Sequence, residues 1–190
     1  MKRTKNCLLV GVGGQGTILT SKILSTGLLN AGYDVKMSEI HGMAQRGGSV
    51  STQVRYGEQV NSPIIGRGEA DILIAFEKME AMRWLPFLSK EGKLIVNDYE
   101  IDSAPILAGK DAYPRGILKY LSENTDSVVI EATKLALEMG NIRVMNVIML
   151  GLLVKQAGLE SIDWKDEIKN LVKPRFVDIN LMAFDRGFSV

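Results

Sequence analysis

The feature that most constrains this chain is a glycine cluster, Gly11-Val12-Gly13-Gly14-Gln15-Gly16, set directly between an apolar run and a helical pattern. Residues 7–12 are short, apolar and stopped by glycines, the mark of a strand buried on both faces. Residues 17–30 read as a helix, with Leu19, Ile23 and Leu28 near one face and Gly32 in the glycine position that ends helices. Gly27, inside that helix, is expected to permit close approach to the sheet. A strand, a glycine turn and a helix in this order place the unpaired N–H groups of the helix start beside the turn.

The unit recurs. Residues 34–40, 71–76, 93–97 and 128–131 read as further strands. Helices are expected over 78–88, 132–139, 142–156, 164–173 and 174–186, the last opening on Pro174 in a first-turn position. In residues 49–56, Val50, Thr52, Val54 and Tyr56 alternate with polar neighbours, as in a half-exposed strand. Gly57 and Glu58 then read as a hairpin turn, with Val60 beginning a partner strand. Residues 98–113 lose all periodicity and, with Pro105, Gly109 and Pro114, read as a long loop. Strands alternating with helices imply an α/β fold: a single doubly wound, mainly parallel sheet with helices on both faces, a Rossmann-like three-layer arrangement. At 190 residues the whole chain, 1–190, is expected to be one domain.

Charge and ligand counts exclude several function classes. Twenty-three Lys and Arg against 22 Asp and Glu leave a net charge of +1, so no global field recruits nucleic acid or an anionic membrane. With one cysteine, Cys7, and one histidine, His41, the chain cannot supply a disulfide framework, a four-thiolate iron–sulfur cluster or a four-ligand zinc site. No metal site is expected, and Cys7 reads as inert core. The basic start, Met1 to Asn6, runs into an apolar stretch too short for a signal sequence. The longest apolar region, 144–154, falls short of the roughly 20 residues a bilayer span needs. A soluble, cytoplasmic protein is the expectation.

Two loops carry candidate chemistry. The first matches G-x-G-x-x-G, but a dinucleotide site also asks for an acidic residue at the end of the second strand. Asp34 stands at that strand's start and Glu39 is late. A dinucleotide, another phosphate or anion, and a tight turn serving fold or subunit packing all stay open. The second loop, Ser38-Glu39-Ile40-His41-Gly42-Met43-Ala44-Gln45-Arg46-Gly47-Gly48-Ser49, follows a strand's carboxyl end, where open α/β sheets place ligands. His41 suits acid–base work or a structural hydrogen bond, and Arg46 offers a planar fork for phosphate or carboxylate. Glu77 reads as a local pair or helix cap, Trp84 and Trp164 as packing anchors, and Met139, Met145 and Met149 as core or interface.

Together the two loops resemble the gamma-type domain of the 2-oxoacid:ferredoxin oxidoreductase family, in particular the small subunit of its indolepyruvate-using members. Phe76-Glu77, Asn97, Gly140-Asn141, Asn146, Leu150-Gly151 and Ala183-Phe184 extend the resemblance over essentially the whole chain. The resemblance implies oxidative decarboxylation of a 2-oxoacid, an arylpyruvate such as indolepyruvate, to an acyl-coenzyme A with reduction of ferredoxin. It further implies a large alpha subunit that carries thiamine diphosphate, Mg and 4Fe–4S clusters. This chain would then be an accessory subunit, inactive alone and binding none of those groups by itself. Coenzyme A contact is expected at the first loop, Gly11, Gly13, Gly14, Gln15 and Gly16, and along the second at His41, Gly42, Met43, Gln45, Arg46, Gly47 and Gly48, with Ser38 and Glu39 set just before it. These residues and Asn97 are the candidates for ligand or subunit contact, with His41 and Arg46 nearest to catalysis. The alternatives are a free-standing NAD- or FAD-binding oxidoreductase and a non-catalytic homodimeric binding module.

Overall fold

The computed structural model describes residues 4–41 and 47–190, His41 by its backbone alone. Leu8, Leu9 and Val10 of β1 (Lys5–Val12) have no exposed surface, as a strand with both faces covered requires. From β1 the chain runs through α1 (Thr17–Asn30), β2 (Asp34–His41) and β3 (Ser49–Gly57) to β4 (Ala70–Ala75), α2 (Lys78–Trp84) and β5 (Leu88–Asn97). A short α3 (Ala104–Leu107), α4 (Ile117–Asn124), β6 (Asp126–Ile130) and α5 (Ala132–Glu138) follow. Then come α6 (Met145–Ala157), α7 (Trp164–Leu171) and α8 (Val177–Phe188).

The strands form one six-stranded sheet in the order β2-β3-β1-β4-β5-β6. β1, β4, β5 and β6 pair in parallel, whereas β3 runs antiparallel to both β1 and β2. The mainly parallel, three-layer α/β arrangement expected from the sequence is therefore present, with one reversed strand inserted near an edge. Cys7, Leu9, Val54, Ile74 and Ile95 face a core shared with α1, α6 and α8. Leu8, Val10, Leu73, Leu94 and Val96 face the other layer, where Ala81 of α2 and Leu121 of α4 are fully buried.

β3 departs from the half-exposed strand read from its alternation. Ser51, Thr52, Gln53 and Val54 are all at most 5% exposed. There is no hairpin at Gly57 and no strand at Val60; residues 58–69 instead cross the polar face of β3 on their way to β4. Gln53 Oε1 accepts from Ile65 N at 2.5 Å, and Arg55 Nη1 donates to the carbonyls of Ser62 and Ile64, each at 3.0 Å. Alternation thus identified which side chains are polar, but what they face is backbone rather than water. This satisfies an irregular segment whose own N–H and C=O groups have no ladder partner.

Three further differences have local causes. Gly27 makes its close approach to Trp164 of α7, whose ring occupies the space a Cβ would take, and not to the sheet. Helix 78–88 ends at Trp84, because Pro86 lies in a 3-10 turn, Leu85–Phe87. α4 has no counterpart in the sequence reading because it opens directly behind Pro114 and Gly116, which read as loop punctuation, although Gly116 is its N-cap. By contrast α6, expected as a buried helix, is sealed along its length from Met145 to Val154. It crosses α8 at Gly151 and Gly187. A Cβ on Gly187 would overlap the carbonyl of Ile148, and one on Gly151 the carbonyl of Phe184. Among the described residues no helix is long and apolar enough to cross a membrane.

Candidate functional site

β1 sends the chain into α1 toward one sheet edge, while β4 and β5 send it toward the other. A crevice at the carboxyl ends of the strands is expected where those directions diverge. A cleft of about 520 Å³ lies there, lined by Gly13, Gly14, Gln15 and Gly16. Leu19, Tyr99, Ile101 and Thr133 complete it, with Ile142 and Arg143 of the 3-10 turn before α6 and Met145 and Asn146 of α6 itself.

The glycine turn is held by side-chain amides. Gln15 Oε1 accepts from Val12 N at 2.8 Å, and Gln15 Nε2 donates to Phe76 O at 2.8 Å, tying the ends of β1 and β4 together. Gly16 is the N-cap of α1 in a left-handed conformation, φ 82° and ψ 21°. Its carbonyl accepts from Asn146 Nδ2 at 3.1 Å, and Asn146 sits where a Gly16 Cβ would be. Glycine is thus required twice over, by backbone sign and by close approach. The start of α1 has no side-chain cap and no acidic residue in its first turn, so its positive end faces the cleft uncompensated. Arg143 adds an exposed guanidinium with no ion pair among the described residues. Among the described residues Asn146 Oδ1 is buried without a hydrogen-bond partner.

The two loops singled out in the sequence meet. Gly13 N donates to Gly48 O at 2.9 Å, and Gly47 N to Gly13 O at 3.5 Å, continuing the β1–β3 ladder past Val12 and Ser49. Behind this junction lies the acidic first turn of α2. Glu80, 4% exposed, accepts from Ser49 Oγ and from Arg83 Nε. Glu77, 1% exposed, is the N-cap of α2, accepting from Glu80 N at 2.9 Å, and it also accepts from Tyr113 Oη. Burial pushes the Glu77 carboxyl above its ordinary range, against the opposing pull of its hydrogen bonds. The Tyr113 hydroxyl is raised too, by its own burial and then by Glu77.

The pyruvate ferredoxin/flavodoxin oxidoreductase family signature matches residues 6–190. The indolepyruvate oxidoreductase subunit IorB of Methanothermobacter thermautotrophicus is 42% identical over 188 residues, covering 96% of this chain and 95% of its own. The chain belongs to this family. Two solved structures share its fold. The pyruvate oxidoreductase subunit PORC of Thermotoga maritima superposes with a TM-score of 0.73 at 23% identity, over 99% of this chain and 97% of that one. The 2-oxoglutarate:ferredoxin oxidoreductase of Magnetococcus marinus, solved with 2-oxoglutarate, coenzyme A and succinyl-CoA, superposes at 0.72 and 19% identity over 100% of this chain and 31% of that one. The expectation of an oxoacid:ferredoxin oxidoreductase subunit stands.

Within this oxidoreductase fold the sequence candidates fall into distinct groups. Gly13, Gly14, Gln15 and Gly16 line the cleft, Gly47 and Gly48 abut it, and Gly11 lies beneath Gln15 and Phe76. Ser38 and Glu39 lie on β2, opposite Gln53 and Thr52 of β3, with Glu39 accepting from Ser21 Oγ at 3.5 Å. Asn97 is fully buried. Its amide donates to Phe76 O at 3.0 Å and Thr133 Oγ1 at 2.8 Å, so it braces the cleft from below. Gly42, Met43, Gln45, Arg46 and the side chain of His41 lie outside the described residues. Arg143 and Thr133 are not among the sequence candidates, and Asn146 enters only through the family resemblance. The available signal was Arg143 and Asn146 standing three residues apart at a helix start, on the side that meets Gly16.

Proposed function

We propose that this chain is the accessory subunit of an arylpyruvate:ferredoxin oxidoreductase, and that its cleft receives part of coenzyme A. The observation that carries the reading is the junction of the two glycine loops at a cleft into which the positive end of α1 points. The phosphate-bearing part of coenzyme A suits those N–H groups and the Arg143 guanidinium, and its apolar stem suits Leu19, Ile101, Ile142 and Met145. His41 and Arg46 belong to the proposal as the acid–base and phosphate-binding candidates that the sequence places in the second loop.

The remaining chemistry falls to a large partner subunit. Cys7 is the sole thiol, 1% exposed inside β1 and pushed up to about 12 by burial, so it does not fit a cluster ligand. In this reading thiamine diphosphate with Mg would supply the decarboxylation chemistry and 4Fe–4S clusters the electron transfer to ferredoxin, both held by the partner. This chain's share is to hold and orient the acyl acceptor. Isolation of the native complex, with analysis of iron and thiamine diphosphate and assay of arylpyruvate-dependent ferredoxin reduction, tests it. A large iron- and thiamine-bearing partner whose activity requires this chain is the expected result. In that complex Arg143→Gln should raise the KM for coenzyme A about tenfold, the loss of one charge-assisted hydrogen bond. A lone homo-oligomer retaining NAD or flavin would overturn the reading.

A further inference from the structure

The first turn of a helix has N–H groups with no carbonyl of its own helix to take them. In α2 two of these are taken by a remote stretch, residues 98–116, the excursion between β5 and α4. Lys78 N donates to Tyr99 O at 3.1 Å and Met79 N to Tyr113 Oη at 3.1 Å. Glu80 N is taken by Glu77 Oε2. The other carboxylate oxygen of Glu77 accepts from both ends of the excursion, from Ile101 N at 3.4 Å and from Tyr113 Oη. Lys78 Nζ reinforces the first root through Asp98 at 3.0 Å and Glu100 at 2.6 Å.

Between these roots the excursion has little else to hold it. α3 has no buried residue, and Leu107 is 75% exposed. Its position is therefore set where it is rooted. One root carries Tyr99 and Ile101, which form a wall of the cleft opposite the glycine turn.

We propose that Glu77 is a positioning residue: with Tyr113 it latches residues 98–116 to the start of α2 and so sets the wall of the cleft made by Tyr99 and Ile101. A carboxylate that only capped α2 would need neither Tyr113 nor Ile101. The same turn grips Ser49, at the foot of the second loop, through Glu80. One wall of the cleft and the foot of the second loop thus hang from one helix end. The role in setting the cleft rests on the coenzyme A reading above; the latch itself does not.

The experiment compares Tyr113→Phe, Glu77→Ala and Glu77→Gln in the full chain and in the native complex. Amide hydrogen exchange is read on the chain, and the KM for coenzyme A and kcat on the complex. Tyr113→Phe keeps the ring and the cap of Glu80 N, so it guards against Glu77→Ala failing to fold. Expected is about tenfold or greater faster exchange across residues 99–113, with β4, β5 and α6 unchanged. The KM for coenzyme A should rise severalfold at near-constant kcat, and Glu77→Gln, which keeps one of the two acceptor oxygens, should exchange at rates between those of wild type and Glu77→Ala. Unchanged exchange in Tyr113→Phe would overturn the latch. Faster exchange with an unchanged KM would overturn its role in setting the cleft. A wild-type complex that turns over without coenzyme A would instead strike the proposed function and leave the exchange result standing.

Discussion

Gly16→Ala isolates what the glycine turn is for. Two costs act at this position. Holding alanine in the left-handed region costs roughly 1–2 kcal/mol. The new Cβ would also overlap Asn146 Nδ2, forcing that amide aside and breaking its 3.1 Å bond to Gly16 O. Overpacking and the lost bond together add about 1–3 kcal/mol. The fold supplies an internal control. Gly116 is the N-cap of α4 with φ 77° and ψ 11°, close to the 82° and 21° of Gly16, and nothing lies within 4 Å of a Cβ placed there. Gly116→Ala should therefore show the backbone cost alone, about 1–2 kcal/mol. Urea denaturation of both variants, with the linear slope checked for constancy, measures the difference. A double variant with Asn146→Ala should shrink the Gly16→Ala penalty toward the Gly116→Ala value, since the nearest remaining contact would be 3.2 Å from the residue 146 Cβ. Equal penalties at Gly16 and Gly116 would refute the claim that Asn146 and the turn are built against each other.

Other positions give sharper single outcomes. Gly187→Ala should lower stability by several kcal/mol, on the order of 3 or more, because its Cβ meets the rigid backbone of Ile148 rather than a movable side chain; a thermal midpoint within a degree of wild type would contradict the close α6–α8 crossing. Glu77 has a folded-state affinity for protons above its unfolded one, so its protonation contributes stability that is fully present below the ordinary glutamate value of about 4.3 and is lost as pH rises through the elevated value. Denaturation in that window should show stability falling for wild type and flat for Glu77→Gln; parallel curves would place the shift elsewhere. Cys7, buried and pushed up to about 12, should resist thiol reagents until the chain unfolds, and stoichiometric labelling in native buffer within minutes would show that β1 opens far more readily than its packing allows.

What was legible in the sequence was local. The bounds of α1 at Thr17 and Asn30 follow from glycines on either side of a periodic run, and the buried strands from unbroken apolar stretches. Glu77 was readable as a cap because cap chemistry is set within three residues. Partnerships across the chain were not readable. Asn146 meets Gly16 across 130 positions, and Tyr113 meets Glu77 across 36. The polar face of β3 was read as wet because a sequence pattern records polarity and not its partner. α4 is concealed for a different reason: its start, at Gly116 just behind Pro114, carries residues that read as loop, while Gly116 in fact caps the helix.

The reversed strand also decides what the glycine turn can hold. A dinucleotide site needs the acidic end of a second parallel strand beside the first, so that one ligand spans turn and carboxylate. Here β3 is wedged between β1 and β2, which puts β2 two strand spacings, roughly 9–10 Å, from the turn. Asp34 lies at the wrong end of β2, accepting from Val60 N at 2.8 Å and paired with Lys36 at 2.5 Å. Glu39 lies at the right end but across β3, facing Ser21. The turn opens on an uncapped helix end, as a nucleotide fold does, and has no acidic strand end directly beside it. Calorimetric titration of the isolated chain with NAD should accordingly show no binding tighter than roughly millimolar, about −4 kcal/mol. A dissociation constant near 1 μM, about −8 kcal/mol, would mean that another group replaces the carboxylate, and the wedge argument would fail.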